Sequence, residues 1–93
     1  MQKWEYRTTF VWASIEQEGV MEYLSQRDPS ARPPKYTPEA TELYLNQLGA
    51  EGWELVHMEP VLVGKNYDVK FLAAGMDEWT HCYFCVFKRP TGL

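Results

Sequence analysis

The sequence predicts an α+β domain with the element order β-α-β-β-β, in which one helix packs on a small, mostly antiparallel sheet. Residues 3–15 alternate in side-chain character as a strand does, and residues 37–48 carry the start signal and apolar spacing of a helix. Three more strand-like segments follow that helix. At 93 residues the chain is the size of one domain, so we expect a single domain over residues 1–93.

The first strand is predicted over residues 3–15, with its aromatic side chains on a single face. That face carries Trp4, Tyr6, Thr8, Phe10 and Trp12. The opposite face begins with Lys3, Glu5 and Arg7 and becomes apolar only towards its end. Since one helix covers one face of a sheet, we expect the aromatic face of this strand to contact the helix.

Residues 16–36 are predicted to be an irregular excursion from the sheet. The apolar positions between Val20 and Leu24 fit one or two amphipathic helical turns. The prolines that follow break any helix, so we expect an exposed loop over Gln26–Tyr36.

The main helix is predicted to begin sharply at Thr37, which suits the N-cap position. Pro38 fits the first turn, and Glu39 faces the positive end of the helix dipole. Gly49 supplies the left-handed residue that ends the helix. The apolar side chains of this segment spread over a wider arc than contact with one sheet requires.

Three strands are predicted after the helix. They cover Trp53–Val63, Tyr67–Leu72 and Trp79–Arg89. Pro90 is expected to end the last of them, because proline has no N–H for the ladder. We expect Ala73–Glu78 to be a loop around Gly75.

The composition excludes several classes of function. The formal net charge is −4 and the pI is about 5.1, whereas proteins that bind duplex nucleic acid present a basic face. No segment has the length of a membrane span, and the first residues lack the apolar run of a signal peptide. Two cysteines cannot form a disulfide framework. We therefore expect a cytoplasmic protein that binds neither duplex nucleic acid nor a membrane.

Three short segments are similar to a known family. They are Trp4-Glu5-Tyr6, Leu45–Val56 and Phe87-Lys88-Arg89-Pro90. On these segments the chain resembles the domain-of-unknown-function 4177 family of small bacterial and phage proteins. The resemblance implies a compact β-α-β-β domain with no known catalytic residues. Residues 16–36 and 64–79 depart from the family pattern, and we interpret them as insertions that could carry a function of their own.

The segment Cys82-Tyr83-Phe84-Cys85 has the C-x-x-C spacing of zinc and redox sites. Those sites lie on turns or helix starts, where both sulfurs converge. Here the spacing falls inside a predicted strand, where residues three apart point to opposite faces, so we expect two buried thiols, no metal and no cofactor. Nothing in the sequence fixes a nucleophile or carboxylate against His57 or His81, and we expect no enzymatic activity.

An exposed apolar patch is predicted on the sheet face away from the helix. The alternation places Trp53 and Leu55 on the helix side, and the last strand is apolar on both faces. The residues predicted to form the patch are Val11, Ala13, Ile15, Val56, Met58, Phe84 and Val86. Monomers rarely expose a large apolar patch, so we expect symmetric self-association to cover it.

A local basic cluster lies on the loop at residues 26–36 of this acidic chain. The predicted ligand-binding residues are Tyr23, Arg27, Arg32, Lys35 and Tyr36. Arginine and tyrosine together suit a planar anion such as a nucleotide, and adjacent prolines stiffen the loop. An ordinary solvated loop would show the same composition.

The sequence leaves three functions open. The first is a non-enzymatic binding protein, a homo-oligomer that binds or sequesters a small anionic or nucleotide-like ligand. The second is a protein-interaction module that docks a partner through its apolar sheet face. An enzyme is the third and the least supported by the residues present.

Overall fold

The computed structural model describes residues 1–72 and 78–92, which form a four-stranded sheet and two α-helices. In chain order the elements are β1 (Lys3–Trp12), α1 (Val20–Arg27), a 3-10 helix (Pro38–Thr41), α2 (Glu42–Ala50), β2 (Glu54–Val63), β3 (Val69–Phe71) and β4 (Cys82–Thr91). The strand order across the sheet is β1-β4-β2-β3, and the neighbouring strands are antiparallel. The predicted α+β class is confirmed. The loop predicted around Gly75 lies largely outside the described residues.

Helix α1 forms inside the segment that the sequence predicts to be irregular. Val20 and Leu24, one helical turn apart, are each 3% exposed and pack with Ala40 as a small second core. The partly buried Ile15 and Leu43 pack against these three residues. A helix of eight residues is too short to be stable alone, so burial of this one face explains why it forms here.

Helix α2 ends later than the sequence predicts. Gly49 lies inside the helix, and the left-handed residue is Gly52, with a φ of 90°. The Trp53 N–H donates to the Leu48 carbonyl at 3.0 Å, and the Gly52 N–H donates to the Gly49 carbonyl at 3.0 Å. These are the two hydrogen bonds of a Schellman motif, which turns the chain directly into β2.

Strand β4 continues through Pro90, where the sequence predicts its end. The Ala13 N–H donates to the His81 carbonyl at 2.7 Å in the β1–β4 register, so odd-numbered residues carry the hydrogen bonds between these strands. Pro90 is even-numbered, so its backbone groups point to the β2 side of β4. The pairing of β2 with β4 begins at Glu54 opposite Lys88, so no β2 residue lies opposite Pro90. No N–H is needed at that position, so the strand tolerates a proline there.

The helices pack on the face of β1 opposite to the predicted one. The main core consists of Val11, Leu48, Cys85 and Phe87. The partly buried residues around it are Tyr44, Leu45, Trp53, Met58 and Tyr83. Because the core residue Phe87 pairs with Arg7, the odd-numbered side chains of β1 point towards the helices. The aromatic side chains lie on the open face, where Tyr6 is 64% and Trp4 41% exposed, so this prediction was wrong.

The charged residues of β1 fit this arrangement because they lie at its exposed end. Lys3 and Arg7 are exposed, and Glu5 accepts a hydrogen bond from the guanidinium of Arg89. That guanidinium also lies 4.2 Å from the ring centroid of Trp53. The polar start of this face therefore marks the exposed end of the strand, whereas its later part is covered by the helices.

We expect Phe87→Ala to lower the free energy of unfolding by about 3–5 kcal/mol, because it removes a ring that is 1% exposed in the main core. Tyr6→Ala removes a ring from the open face of β1 and serves as the matched control. It should change the free energy of unfolding by less than about 1 kcal/mol. Chemical denaturation of both variants measures this, and a larger loss for Tyr6→Ala would mean that the helices pack on the other face.

Candidate ligand site

Arg27 of the predicted ligand site is the last residue of α1 and is held by two carboxylates. Its Nη2 lies 2.8 Å from Glu39 Oε2, and its Nη1 donates to Glu42 Oε1. The Tyr23 hydroxyl donates to Glu42 Oε1 at 3.1 Å and accepts from the Asn46 side-chain amide at 3.1 Å. The hydrogen bond and the charge of Glu42 raise the pKa of Arg27. The protein itself thus neutralises this guanidinium.

Lys35 and Tyr36 form a second group, next to the end of β1. The Lys35 Nζ lies 3.3 Å from Glu16 Oε1, whose hydrogen bond and charge raise the pKa of Lys35. The Tyr36 ring stacks on His81 with 4.1 Å between the ring centroids. Tyr36 also pairs with Ser14 as an isolated antiparallel bridge. This group therefore rests on the sheet, whereas Tyr23 and Arg27 rest on the helices.

Arg32 forms no hydrogen bond or ion pair with either group among the described residues. Its Nη1 donates to the Ala31 carbonyl at 2.9 Å, and no carboxylate in residues 1–72 or 78–92 pairs with it. The five predicted residues are thus divided between two groups and one arginine that has no described polar contact with either. An anion that bound to Arg27 or Lys35 would compete with the carboxylates already there.

A cleft of about 310 Å³ lies between the outer edge of β1 and the helices. Among its lining residues are Thr9, Trp12, Gln17, Glu18, Tyr44 and Gln47. Sequence reasoning missed this cleft, because Gln17 and Gln47 are single glutamines in no motif and are far apart in the chain. The fold brings them together by packing α2 beside the strand.

The cleft combines flat apolar surfaces with hydrogen-bonding groups. Tyr44 of α2 provides an aromatic ring, the apolar side chains of Val11, Val20 and Leu43 line the cleft beside it, and the side-chain amides of Gln17 and Gln47 provide donors and acceptors. Glu18 adds a carboxylate that can accept hydrogen bonds from an amino group. No Lys or Arg lines the cleft within the described part of the chain. The arrangement suits a small planar molecule with polar edges. If that molecule carried a phosphate, the phosphate would have to pair with a cation outside the cleft lining.

Aromatic rings are in contact across the open face of the sheet. The rings of this face, called the aromatic band below, belong to Trp4, Tyr6, Phe10, Trp12, Phe71 and Phe84. Phe84 lies edge-on to Phe10 and Phe71, at centroid distances of 6.3 and 6.5 Å. Lys88 extends over Trp4, with its Nζ 4.2 Å from the ring centroid. The open face is therefore largely aromatic and carries a cation at one end.

Three residues of the predicted oligomer interface, at the end of β1 and just after it, are inside the protomer. Val11 and Ala13 are 3% and 5% exposed, and Ile15 packs against the second core beside α1. The prediction was wrong for these residues because odd-numbered side chains of β1 face the helices. They are not available to a second copy.

The remaining predicted interface residues, Val56, Met58, Phe84 and Val86, do not all lie on one face, because β2 contains an irregularity. The pairing register with β4 shifts between Leu55 and His57, which returns Met58 to the helix side, where it packs against the main core. Val56 lies at the shift and is 50% exposed. Phe84 and Val86 are half-buried on the open face, as predicted for the patch. The open face thus keeps part of the predicted patch, although its largest contributors are aromatic residues of β1.

Cys82 and Cys85 lie on opposite faces of β4. Cys85 belongs to the main core, whereas Cys82 pairs with Trp12 at the end of β1. Burial raises the pKa of both thiols to about 11. Within the described residues, no three His, Cys, Asp or Glu side chains are grouped so that they could hold a metal ion.

No known protein family, curated protein or solved structure matches this chain. The resemblance to the domain-of-unknown-function 4177 family therefore stays a prediction. Helices α1 and α2, in the part of the chain that the structure describes, are too short to cross a lipid bilayer. The function has to be argued from the cleft, the aromatic band and the loop cations.

We expect both thiols of the folded protein to react slowly with a thiol-specific reagent at pH 8. Burial keeps them protonated and out of contact with the reagent, and the thiolate is the reactive form. In denaturant both thiols should react as fast as free cysteine. A colorimetric thiol assay with and without denaturant measures this, and two fast-reacting thiols under native conditions would contradict the burial of β4.

Proposed function

We propose that the protein is a non-enzymatic binding protein that acts as a homo-oligomer and holds a small, planar, nucleotide-like ligand. The observation that carries this proposal is the cleft of about 310 Å³ between β1 and the helices. Its volume lies at the lower end of the range for small-molecule sites. The Tyr44 ring and the two glutamine amides match the flat face and polar edges of a nucleobase.

The charges indicate which part of such a ligand occupies the cleft. Glu18 repels a phosphate but accepts well from the amino group of a base, so we assign the base to the cleft. Arg27 and Lys35 are held by carboxylates. Arg32 is the loop cation without a carboxylate partner among the described residues, so an anion binds to it without displacing a carboxylate.

We expect calorimetry with a panel of nucleosides and of mono-, di- and cyclic nucleotides to find a ligand with a Kd below about 1 mM. Gln47→Ala should weaken binding by about two- to tenfold, because it removes a neutral hydrogen bond in the cleft. Arg32→Ala removes a charge-assisted contact and should cost about tenfold or more for phosphorylated ligands only. Gln26→Ala, an exposed glutamine of α1 away from the cleft lining, is the matched control.

The outcomes of this titration separate the alternatives. If no member of the panel binds, a nucleotide-like ligand is excluded. If Arg32→Ala weakens binding and Gln47→Ala does not, the ligand binds to the loop that the sequence predicts and not to the cleft. Equal losses for Gln47→Ala and Gln26→Ala would contradict a specific role for the cleft amide.

A second candidate function is a protein-interaction module that docks through the aromatic band. The specific observation in its favour is that Tyr6 is 64% and Trp4 41% exposed on the open face. Tyrosine and tryptophan are the residues most enriched at the centres of protein interfaces. This alternative needs no ligand in the cleft.

We expect a partner protein that docks on the aromatic band to be lost when Tyr6→Asp is introduced, because an unpaired carboxylate resists desolvation. Tyr67→Asp is the matched control, since Tyr67 is 73% exposed between β2 and β3. Pull-down with wild type and both variants measures this. A hetero-complex that survives Tyr6→Asp would not use the aromatic band.

A further inference from the structure

Strand β1 has a free backbone edge. It is an outer strand of the sheet and pairs with β4 on one side only. Odd-numbered residues carry the bonds to β4, so the N–H and C=O groups of even-numbered residues from Trp4 to Trp12 point away from the sheet. Among the described residues, no other backbone group bonds to this edge. A free edge of ten residues is a template for another strand.

Only the first part of that edge is open to a partner strand. From Thr9 to Trp12 the edge forms one wall of the cleft, and Gln17 and Glu18 stand across from it. From Lys3 to Thr8 the residues are exposed, apart from the half-buried Glu5. A second strand therefore has access to the edge at residues 3–8 and meets the cleft beyond them.

We propose that the occupant of this edge is β1 of a second copy of the chain, antiparallel, with Tyr6 opposite Tyr6 across a two-fold axis. In this register Glu5 of each copy lies opposite Arg7 of the other, and Trp4 lies opposite Thr8. The even-numbered residues whose backbone groups are free in one copy then bond to those of the other.

Charge complementarity selects this register over its neighbours. A pairing centred on Glu5 sets Glu5 opposite Glu5 and Lys3 opposite Arg7, and a pairing centred on Arg7 sets two arginines opposite each other. The Tyr6-centred pairing instead forms two Glu5–Arg7 pairs. Arg7 has no ion-pair partner among the described residues, and the carboxylate of Glu5 has acceptor sites left beside its bond to Arg89.

The accessible length of the edge excludes the remaining registers. A pairing centred on Thr8 would extend to Trp12 and enter the stretch that Gln17 and Glu18 flank. A pairing centred on Trp4 would leave the free groups of Thr8 without a partner. The Tyr6-centred pairing forms its hydrogen bonds through Trp4, Tyr6 and Thr8 and ends before the cleft begins at Thr9.

This pairing removes the long free edge of the sheet. The two sheets join into a continuous one, whose outer edges are the β3 strands of three residues each. The inference rests on the homo-oligomer part of the proposed function and is independent of any ligand. Its tests are accordingly made on the ligand-free protein, so that failure to find a nucleotide does not affect them.

The first test is the oligomeric state, measured by light scattering on the full chain at micromolar concentrations. Wild type should be a dimer or a larger assembly. Arg7→Glu places a carboxylate opposite Glu5 of the other copy on each side of the two-fold axis, so it should weaken self-association at least tenfold. Lys3→Glu is the matched control, a charge reversal opposite the uncharged Thr9, and it should have a much smaller effect. A monomeric wild type, or equal effects of the two variants, would overturn the proposal.

The second test reports the register through oxidation. In a Tyr6-centred pair the two Tyr6 Cα atoms are about 5.5 Å apart, within the range of a disulfide. Tyr6→Cys should therefore form a disulfide-linked dimer on a non-reducing gel. Thr8→Cys lies on the same face but faces Trp4 of the second copy, so it should not cross-link, and neither should the buried Cys82 and Cys85 of wild type. Cross-linking by Thr8→Cys, or by neither variant, would overturn this register.

Discussion

The rest of the structure depends on the position of β4, which pairs with β1 on one side and β2 on the other while Phe87 is buried in the main core. Side chains alternate along a strand, so the burial of Phe87 and Cys85 decides which residues of both neighbours reach the helices. Full burial of a phenylalanine contributes about 1.5–3 kcal/mol relative to leaving it exposed. The aromatic side chains of β1 are consequently left on the open face.

Local signals were sufficient to predict most elements but not the faces that they bury. Trp53–Val63 and the proline start of the main helical segment depend on residues close together in the chain, and the structure contains both close to the predicted bounds. The buried face of β1 depends on how far the helices extend over it, which no local pattern specifies. Gly49 and Gly52 show the same limit, because only the turn into β2 decides which glycine is left-handed.

The candidate site was less predictable for a related reason. The loop cations form a cluster in the sequence, but the carboxylates that neutralise Arg27 come from the segment after the loop. The cleft depends on Gln17 and Gln47, which carry no signal until α2 packs beside β1. The cations of the loop predicted a site, but the fold pairs Arg27 and Lys35 with carboxylates. The cleft is instead formed by residues that belong to no sequence motif.

Strand β1 carries the free edge, the cleft wall and much of the aromatic band, yet these use different atoms. The edge consists of backbone groups in the plane of the sheet from Lys3 to Thr8, whereas the band projects out of that plane. The cleft begins at Thr9, where the accessible edge stops. Assembly through the edge would therefore leave the cleft open and bring two aromatic bands side by side on one continuous face. A small domain with a thin core can in this way form a larger binding surface without burying more of its own side chains.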